Sequence, residues 1–89
     1  MNYTVYVIES KKDGSLYVGH TEDLHVRLQQ HNQGLNKATQ SKLPWKLLYY
    51  EAFIDRDLAM KRENYFKSGD GRRVLKSIIS NVRGVAQPG

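Results

Sequence analysis

The chain contains no cysteine. This absence excludes a disulfide framework and a thiolate zinc site, and it is compatible with a reducing compartment. Long apolar runs are also missing near the N-terminus, where Glu9, Lys11, Lys12 and Asp13 interrupt the sequence. This part of the chain therefore predicts neither a signal peptide nor a membrane span, and we expect a cytoplasmic protein without a membrane partner.

The 89 residues are enough for one small domain, and a hydrophobic content of 39% allows only a thin core. We expect the domain to occupy residues 1–83. Residues 84–89 lack an anchoring group and are predicted to form a flexible C-terminal tail.

Basic residues exceed acidic residues by 14 to 9, which gives a net charge of +5 and a pI of about 9.6. Such a balance favours a polyanionic partner, because each neutralised phosphate releases condensed counterions. Ordinary solubility charge explains the total equally well. The basic residues form two groups, at 37–46 and 61–76, and either group would follow a nucleic-acid backbone if it lay beside a site.

The N-terminal third of the sequence predicts a β-hairpin followed by a helix. Two apolar runs, at 3–10 and 15–19, flank Asp13-Gly14, a dipeptide typical of tight hairpin turns. Thr21 is the expected N-cap of a helix that ends near Asn32, with glutamate and aspartate in its first turn.

The rest of the chain predicts a loop, one strand and two helices. The loop covers 33–43 and is long for so small a domain. Strand 45–53 carries apolar residues on both faces and is expected to be the central strand. Helices at 56–67 and 72–82 follow, separated by a turn at 70–71. The element order β-β-α-β-α-α predicts an α+β fold, a three-stranded antiparallel sheet flanked by helices.

Tyr6 and Tyr17 lie on the two predicted hairpin strands. Each can be read as an ordinary strand aromatic or as a site residue near a strand end. Arg27 and His31 are four residues apart and so share one helix face. They can be a structural pair at the edge of the core, or a cationic and proton-handling pair in which the guanidinium neutralises a phosphate.

Glu63 lies at the margin of the apolar stripe of the second helix. A carboxylate in that position needs a partner, which a metal ion or Arg27 would supply. Magnesium is often held by one or two carboxylates together with water and substrate phosphate. The alternative is a salt bridge to Arg62 or Lys67.

Taken in order, these motifs resemble those of the GIY-YIG nuclease superfamily. The first motif falls on Thr4-Val5-Tyr6, where Thr4 and Val5 stand in place of glycine and isoleucine, and the second falls on Tyr17-Val18-Gly19. The helix pattern of arginine and histidine falls on Arg27 and His31, and Arg62-Glu63 matches the helix that carries the metal-binding glutamate. The resemblance covers residues 3–75 and is greatest to the small single-domain bacterial members.

The resemblance implies a metal-dependent DNA endonuclease with weak or structure-directed specificity, acting in DNA repair or recombination. The implied catalytic residues are Tyr6, Tyr17, Arg27, His31 and Glu63. Glu63 would hold Mg²⁺ or Mn²⁺, and either tyrosine could be the general base if its pKa, ~10 when free, were lowered. The expected nucleic-acid contacts are His20, Lys37, Lys42, Lys46, Lys67 and Arg72.

DNA is the expected partner, with RNA also open, and a protein partner or self-association would supply specificity. We expect His20 to be a bystander near the site or a substrate contact. The alternative hypothesis is a nucleic-acid-binding module of the same fold that has little activity of its own.

Overall fold

The computed structural model describes residues 2–83, and the tail predicted at 84–89 lies outside the described residues. The predicted α+β fold and element order are confirmed. The elements are strands β1 (Tyr3–Ser10), β2 (Leu16–Thr21) and β3 (Trp45–Phe53), and helices α1 (Leu24–Asn32), α2 (Arg56–Lys67) and α3 (Gly69–Arg83), with one turn of 3-10 helix at Gln40–Lys42. No helix within 2–83 is long and apolar enough to cross a membrane.

The sheet is antiparallel with the order β2-β1-β3, so β1 is central and the prediction that β3 is central is wrong. In β1 the run from Val5 to Ile8 is fully buried, whereas Trp45 is the only buried residue of β3. The pairing of β1 and β3 shifts between Val7 and Ile8. Because of this irregularity, Leu47 and Tyr49 pack against opposite faces of the sheet. A bulge of this kind cannot be predicted from the alternation of apolar and polar residues along a strand.

Helices cover the two faces of the sheet unequally. One core contains Val5, Val7 and Val18 together with residues of α2 and α3. The other contains Tyr6, Ile8 and Trp45, against which the leucines of α1 pack. Because β2 is an edge strand, side chains from both layers can meet beside it.

Strand β2 runs two residues beyond the predicted end at Gly19, which instead pairs with Tyr6. Thr21 therefore belongs to β2 and does not cap α1. The N-cap is Asp23, whose side chain accepts a hydrogen bond from the Val26 amide at 3.1 Å. The extension places His20 inside a strand, paired with Val5.

The predicted turn at Asp70-Gly71 is also wrong, because α3 begins at Gly69 and includes both residues. Ser68 ends α2, and its hydroxyl accepts a hydrogen bond from the Gly71 amide at 3.1 Å. A single serine thus joins the two helices. Gly71 is buried at this junction against the backbone of Tyr65.

Candidate active site

The predicted catalytic residues come from four elements and form one contiguous group beside β2. The ring centroids of Tyr6 on β1 and Tyr17 on β2 are 6.4 Å apart. His31 of α1 lies 5.2 Å from the Tyr17 ring, centroid to centroid. Lys67 of α2 connects Tyr17 to Glu63, because its ammonium lies 5.8 Å from the Tyr17 ring centroid and 2.7 Å from Glu63 Oε2.

A buried hydrogen-bond chain holds Tyr6. His31 Nε2 lies 2.8 Å from the Tyr6 hydroxyl, and His31 Nδ1 lies 2.8 Å from the hydroxyl of Thr39. Thr39 donates its own proton to the Asn36 carbonyl at 3.4 Å, so it accepts from His31 Nδ1. This network assigns the Nδ1-protonated neutral tautomer to His31, which leaves Nε2 to accept the Tyr6 proton.

Burial favours the neutral forms of both members of the Tyr6–His31 pair. It raises the pKa of Tyr6 to about 12, although the nearby Arg27 acts in the opposite direction. Burial also lowers the pKa of His31, and the charge of Arg27 adds to that effect. The pair is therefore a neutral donor and a neutral acceptor at physiological pH.

Gly19 makes room for the Tyr6 hydroxyl. A Cβ atom at this position would lie 2.5 Å from Tyr6 Oη and 2.8 Å from its ring carbon Cζ. A glycine inside a strand often marks such a close approach. Gly19 of the second motif therefore cannot carry a side chain, because the Tyr6 hydroxyl of the first motif occupies that space.

Tyr17 differs from Tyr6 in being partly open to solvent. Its ring packs edge-on against His31 and Trp45, with a Trp45 centroid distance of 6.4 Å. These aromatic contacts fix the ring, while its other side faces Lys67. Of the two tyrosines, Tyr17 is the one that a substrate could reach.

Glu63 has a protein partner for each carboxylate oxygen. Oε1 contacts His20 Nδ1, and Oε2 accepts from Lys67. Although burial opposes ionisation, the hydrogen bonds from Lys67 and His20 outweigh it and hold the pKa of Glu63 below its ordinary value. Of the sequence alternatives, the Lys67 salt bridge is present, and His20 contacts the glutamate directly instead of being a bystander.

Arg27 lies half-buried beside the backbone of β2. Its Nη1 donates to the His20 carbonyl at 3.5 Å, and its Nε donates to the Gln30 side chain at 3.2 Å. The guanidinium borders a polar cleft of about 170 Å³ that is also lined by His20 and Arg56. Glu22 lines the same cleft, so a phosphate entering it would meet two arginines and one carboxylate.

The donor set fits a divalent cation that is shared with substrate, and it does not fit a preformed cage. Within residues 2–83 no three histidine or carboxylate side chains group together as metal ligands. Glu63 is ionised and offers one carboxylate, and magnesium commonly takes its remaining ligands from water and phosphate. Each Glu63 oxygen keeps a second lone pair, so a cation would bind beside Lys67 and His20 or displace one of them.

The predicted nucleic-acid contacts divide into two sets. His20, Lys67 and Arg72 lie in or beside the site. Lys42 and Lys46 lie near the hairpin turn, where Lys42 pairs with Asp13 and Lys46 with Glu9. Lys37 is exposed on the long loop. The structure therefore does not bring these three lysines to the others, and their contact with nucleic acid stays a prediction.

Thr39 is the site-supporting residue that sequence reasoning missed. It is fully buried, and its carbonyl also accepts from the indole of Trp45 at 2.9 Å. Nothing in the polar loop sequence distinguishes Thr39 from its neighbours. Only the requirement that a buried His31 satisfy both ring nitrogens would have indicated a partner.

Replacing Thr39 by valine should destabilise the protein by about 1–3 kcal/mol, because His31 Nδ1–H would lose its buried acceptor. Thr39→Ser keeps the hydroxyl and serves as the control, with a smaller loss expected. Urea unfolding measures the stability, and ¹⁵N NMR of the imidazole reports the tautomer. Equal stability of the two variants, or a wild-type His31 protonated at Nε2, would contradict the assigned chain.

Comparisons with known proteins agree with the resemblance noted in the sequence. The GIY-YIG catalytic domain model matches residues 2–74. A UPF0213 protein of Streptococcus agalactiae is 48% identical over 64 residues, which cover 71% of this chain and 72% of that protein. A UPF0213 protein of Bacillus licheniformis is 43% identical over 67 residues, with coverages of 74% and 69%. The solution NMR structure of a UPF0213 protein from Bacillus halodurans aligns with a TM-score of 0.55 at 36% identity, covering 88% of this chain and 85% of that one.

Proposed function

Because this chain belongs to the GIY-YIG catalytic domain family, whose members are typically nucleases, we propose that it is an endonuclease that hydrolyses phosphodiester bonds in DNA. We further propose that it uses Mg²⁺ or Mn²⁺, acts on DNA of particular structure more than of particular sequence, and serves DNA repair or recombination.

One observation carries the proposal. Five side chains from four elements form a continuous series of contacts beside β2: Tyr6, Tyr17, His31, Lys67 and Glu63. Arg27 joins them through the backbone of His20. A core built for packing alone would not need an ionised glutamate, a guanidinium and two tyrosines in one place.

The proposed reaction is the attack of water on phosphorus with departure of the 3′ oxygen. Arg27 would neutralise charge that builds up on the phosphoryl oxygens. Glu63 would hold the divalent cation together with a substrate phosphate, and that cation would supply Lewis-acid stabilisation of the phosphoryl and leaving oxygens. Lys67 already faces Tyr17, and if a cation displaced it from Glu63 its ammonium would be free to contact the phosphate.

Tyr17 is the better candidate for the group that accepts the proton of the attacking water. Tyr6 is poorly suited to act as a phenolate, since burial raises its pKa to about 12 and its hydroxyl donates to His31. Tyr17 is partly open to solvent, and its ring faces the Lys67 ammonium. Tyr6 and His31 would then serve to position Tyr17 and the phosphate.

Phenylalanine substitutions test these roles. Tyr17→Phe should slow cleavage by about 10²–10⁴-fold, the usual contribution of a general base. Tyr6→Phe should have a clearly smaller effect because it removes a positioning contact. The measurement is single-turnover cleavage of nicked, flap and branched DNA in magnesium or manganese. Equal rates for Tyr17→Phe and wild type would refute the assigned role.

A second candidate function, a nucleic-acid-binding module with little activity of its own, is favoured by one observation. Both oxygens of Glu63 already have protein partners, and the Lys67 ammonium beside Oε2 would repel a cation there. If DNA binds tightly but no cleavage follows over a wide range of metal concentration, this second function replaces the first.

A further inference from the structure

A groove of about 420 Å³ opens directly beside Tyr17, between β2 and the helices α2 and α3. Its floor is apolar and is formed by Val18, Phe66 and Leu75, all of them buried. Its volume lies within the ~300–1,000 Å³ typical of ligand-binding clefts. The groove is thus an open, apolar continuation of the proposed catalytic site.

The rim of this groove is cationic. Lys67, Arg72 and Lys76 line it, and no acidic residue among 2–83 does. Lys67 is also the partner of Glu63, so the same ammonium belongs to the rim and to the proposed catalytic site. The rim therefore attracts an anion directly beside the proposed catalytic site.

An apolar floor beneath a cationic rim matches one chemistry, an unpaired nucleotide. Its base has two apolar faces that can lie on the floor and against the Tyr17 ring, and its phosphates can reach the rim. A base-paired duplex hides those faces in the stack and presents phosphates alone. An acidic peptide would satisfy the rim but would leave the floor uncovered.

We propose that the groove binds the unpaired nucleotide next to the scissile phosphate, so that the substrate is single-stranded nucleic acid or a single-stranded branch of a duplex. The inference rests on the proposed function for the identity of the polymer. It adds that the bases themselves are bound, without sequence readout.

Binding can be measured separately from cleavage, in the full chain carrying Glu63→Gln and without metal. The probes are a fluorescent oligothymidine of about ten nucleotides, an abasic strand of the same length and charge, and a blunt duplex of that length. The base-bearing strand should bind about 5–100-fold tighter than the abasic strand, as expected when a base stacks on protein. The duplex should bind more weakly than the base-bearing strand although it carries twice the phosphates, because its bases are stacked inside it.

Two pairs of substitutions locate the binding. Arg72→Glu with Lys76→Glu should weaken binding of oligothymidine by about tenfold or more, because two phosphate contacts become repulsive. The control pair, Lys11→Glu with Lys61→Glu, makes the same charge change at exposed positions outside the groove and should have a much smaller effect. Tyr17→Ala should abolish the preference for base-bearing over abasic strands.

Equal binding of base-bearing and abasic strands would overturn the proposal, as would equal weakening by the two charge-reversal pairs. These results are distinguishable from failure of the proposed function. If the protein prefers base-bearing single strands but never cleaves them, the groove assignment stands and the proposed nuclease activity is refuted. If the protein cleaves DNA without preferring base-bearing strands, the nuclease activity stands and the groove assignment is refuted.

Discussion

Replacing Glu63 by glutamine should reduce metal-dependent DNA cleavage by about 10³-fold or more. Glu63 is the carboxylate of the proposed site, and a bound cation typically contributes several kcal/mol of transition-state stabilisation. Glutamine has the same shape and can still accept from Lys67, so the fold should persist. Loss of a negative charge beside the phosphate path should leave metal-free DNA binding unchanged or slightly tighter.

Glu51→Gln is the matched control. The Glu51 side chain is 18% exposed, close to the 15% of Glu63. It accepts from Arg62 at 2.8 Å and from Tyr49 at 2.6 Å, and neither of these partners belongs to the site. The same chemical change at Glu51 should cost stability and leave the cleavage rate within a few-fold of wild type. If the two variants lose activity equally, the effect of Glu63→Gln is structural and the metal role is refuted.

The pH dependence of stability gives an independent check on Glu63. Its pKa in the folded protein lies below its ordinary value, so the ionised carboxylate stabilises the folded state above the unfolded pKa of ~4.3. That contribution disappears as the pH falls through the folded pKa. The stability difference between wild type and Glu63→Gln should therefore shrink on acidification.

Local signals determined how much could be predicted from the sequence. The Asp13-Gly14 dipeptide between apolar runs correctly indicated the β1–β2 hairpin, and Asp55 correctly indicated the start of α2. The order of Tyr6, Tyr17 and Glu63 pointed to residues that the structure places in one group. These features depend on a few neighbouring residues or on motif order, both of which can be read along the chain.

Features that depend on distant contacts were missed. The central position of β1 follows from its being the strand that is covered on both faces. The apolar residues of β3 led to the wrong prediction that β3 is central, because several of them remain half exposed at the sheet edge. Thr39 could not be recognised, since its role depends on His31 across a loop. Gly71 looks like a turn residue in the sequence, yet it is buried where the backbone of Tyr65 approaches closely.

Gly71→Ala should destabilise the protein by about 3 kcal/mol, a lowering of Tm by about 12–24 °C. A Cβ at this position would overlap the carbonyl oxygen of Tyr65 and come within 3.0 Å of Phe66 Cα. These are backbone atoms, so no side-chain rotation can relieve the overlap. The start of α3 would have to move away from the end of α2, and the hydrogen bond from the Gly71 amide to Ser68 would be strained or lost.

Gly69→Ala provides the control for this prediction. Gly69 lies two residues earlier in the first turn of the same helix, and within residues 2–83 a Cβ there would meet no atom within 4 Å other than its chain neighbours and the backbone of its own helix turn. Alanine at position 69 should be neutral or stabilising by up to ~1 kcal/mol, because it is the better helix former. Thermal unfolding of the two variants side by side separates steric overlap from helix propensity. If Gly71→Ala matches Gly69→Ala in Tm, the α2–α3 junction is not closely packed. In that case Arg72 and Lys76, which that junction positions, need not lie beside Tyr17.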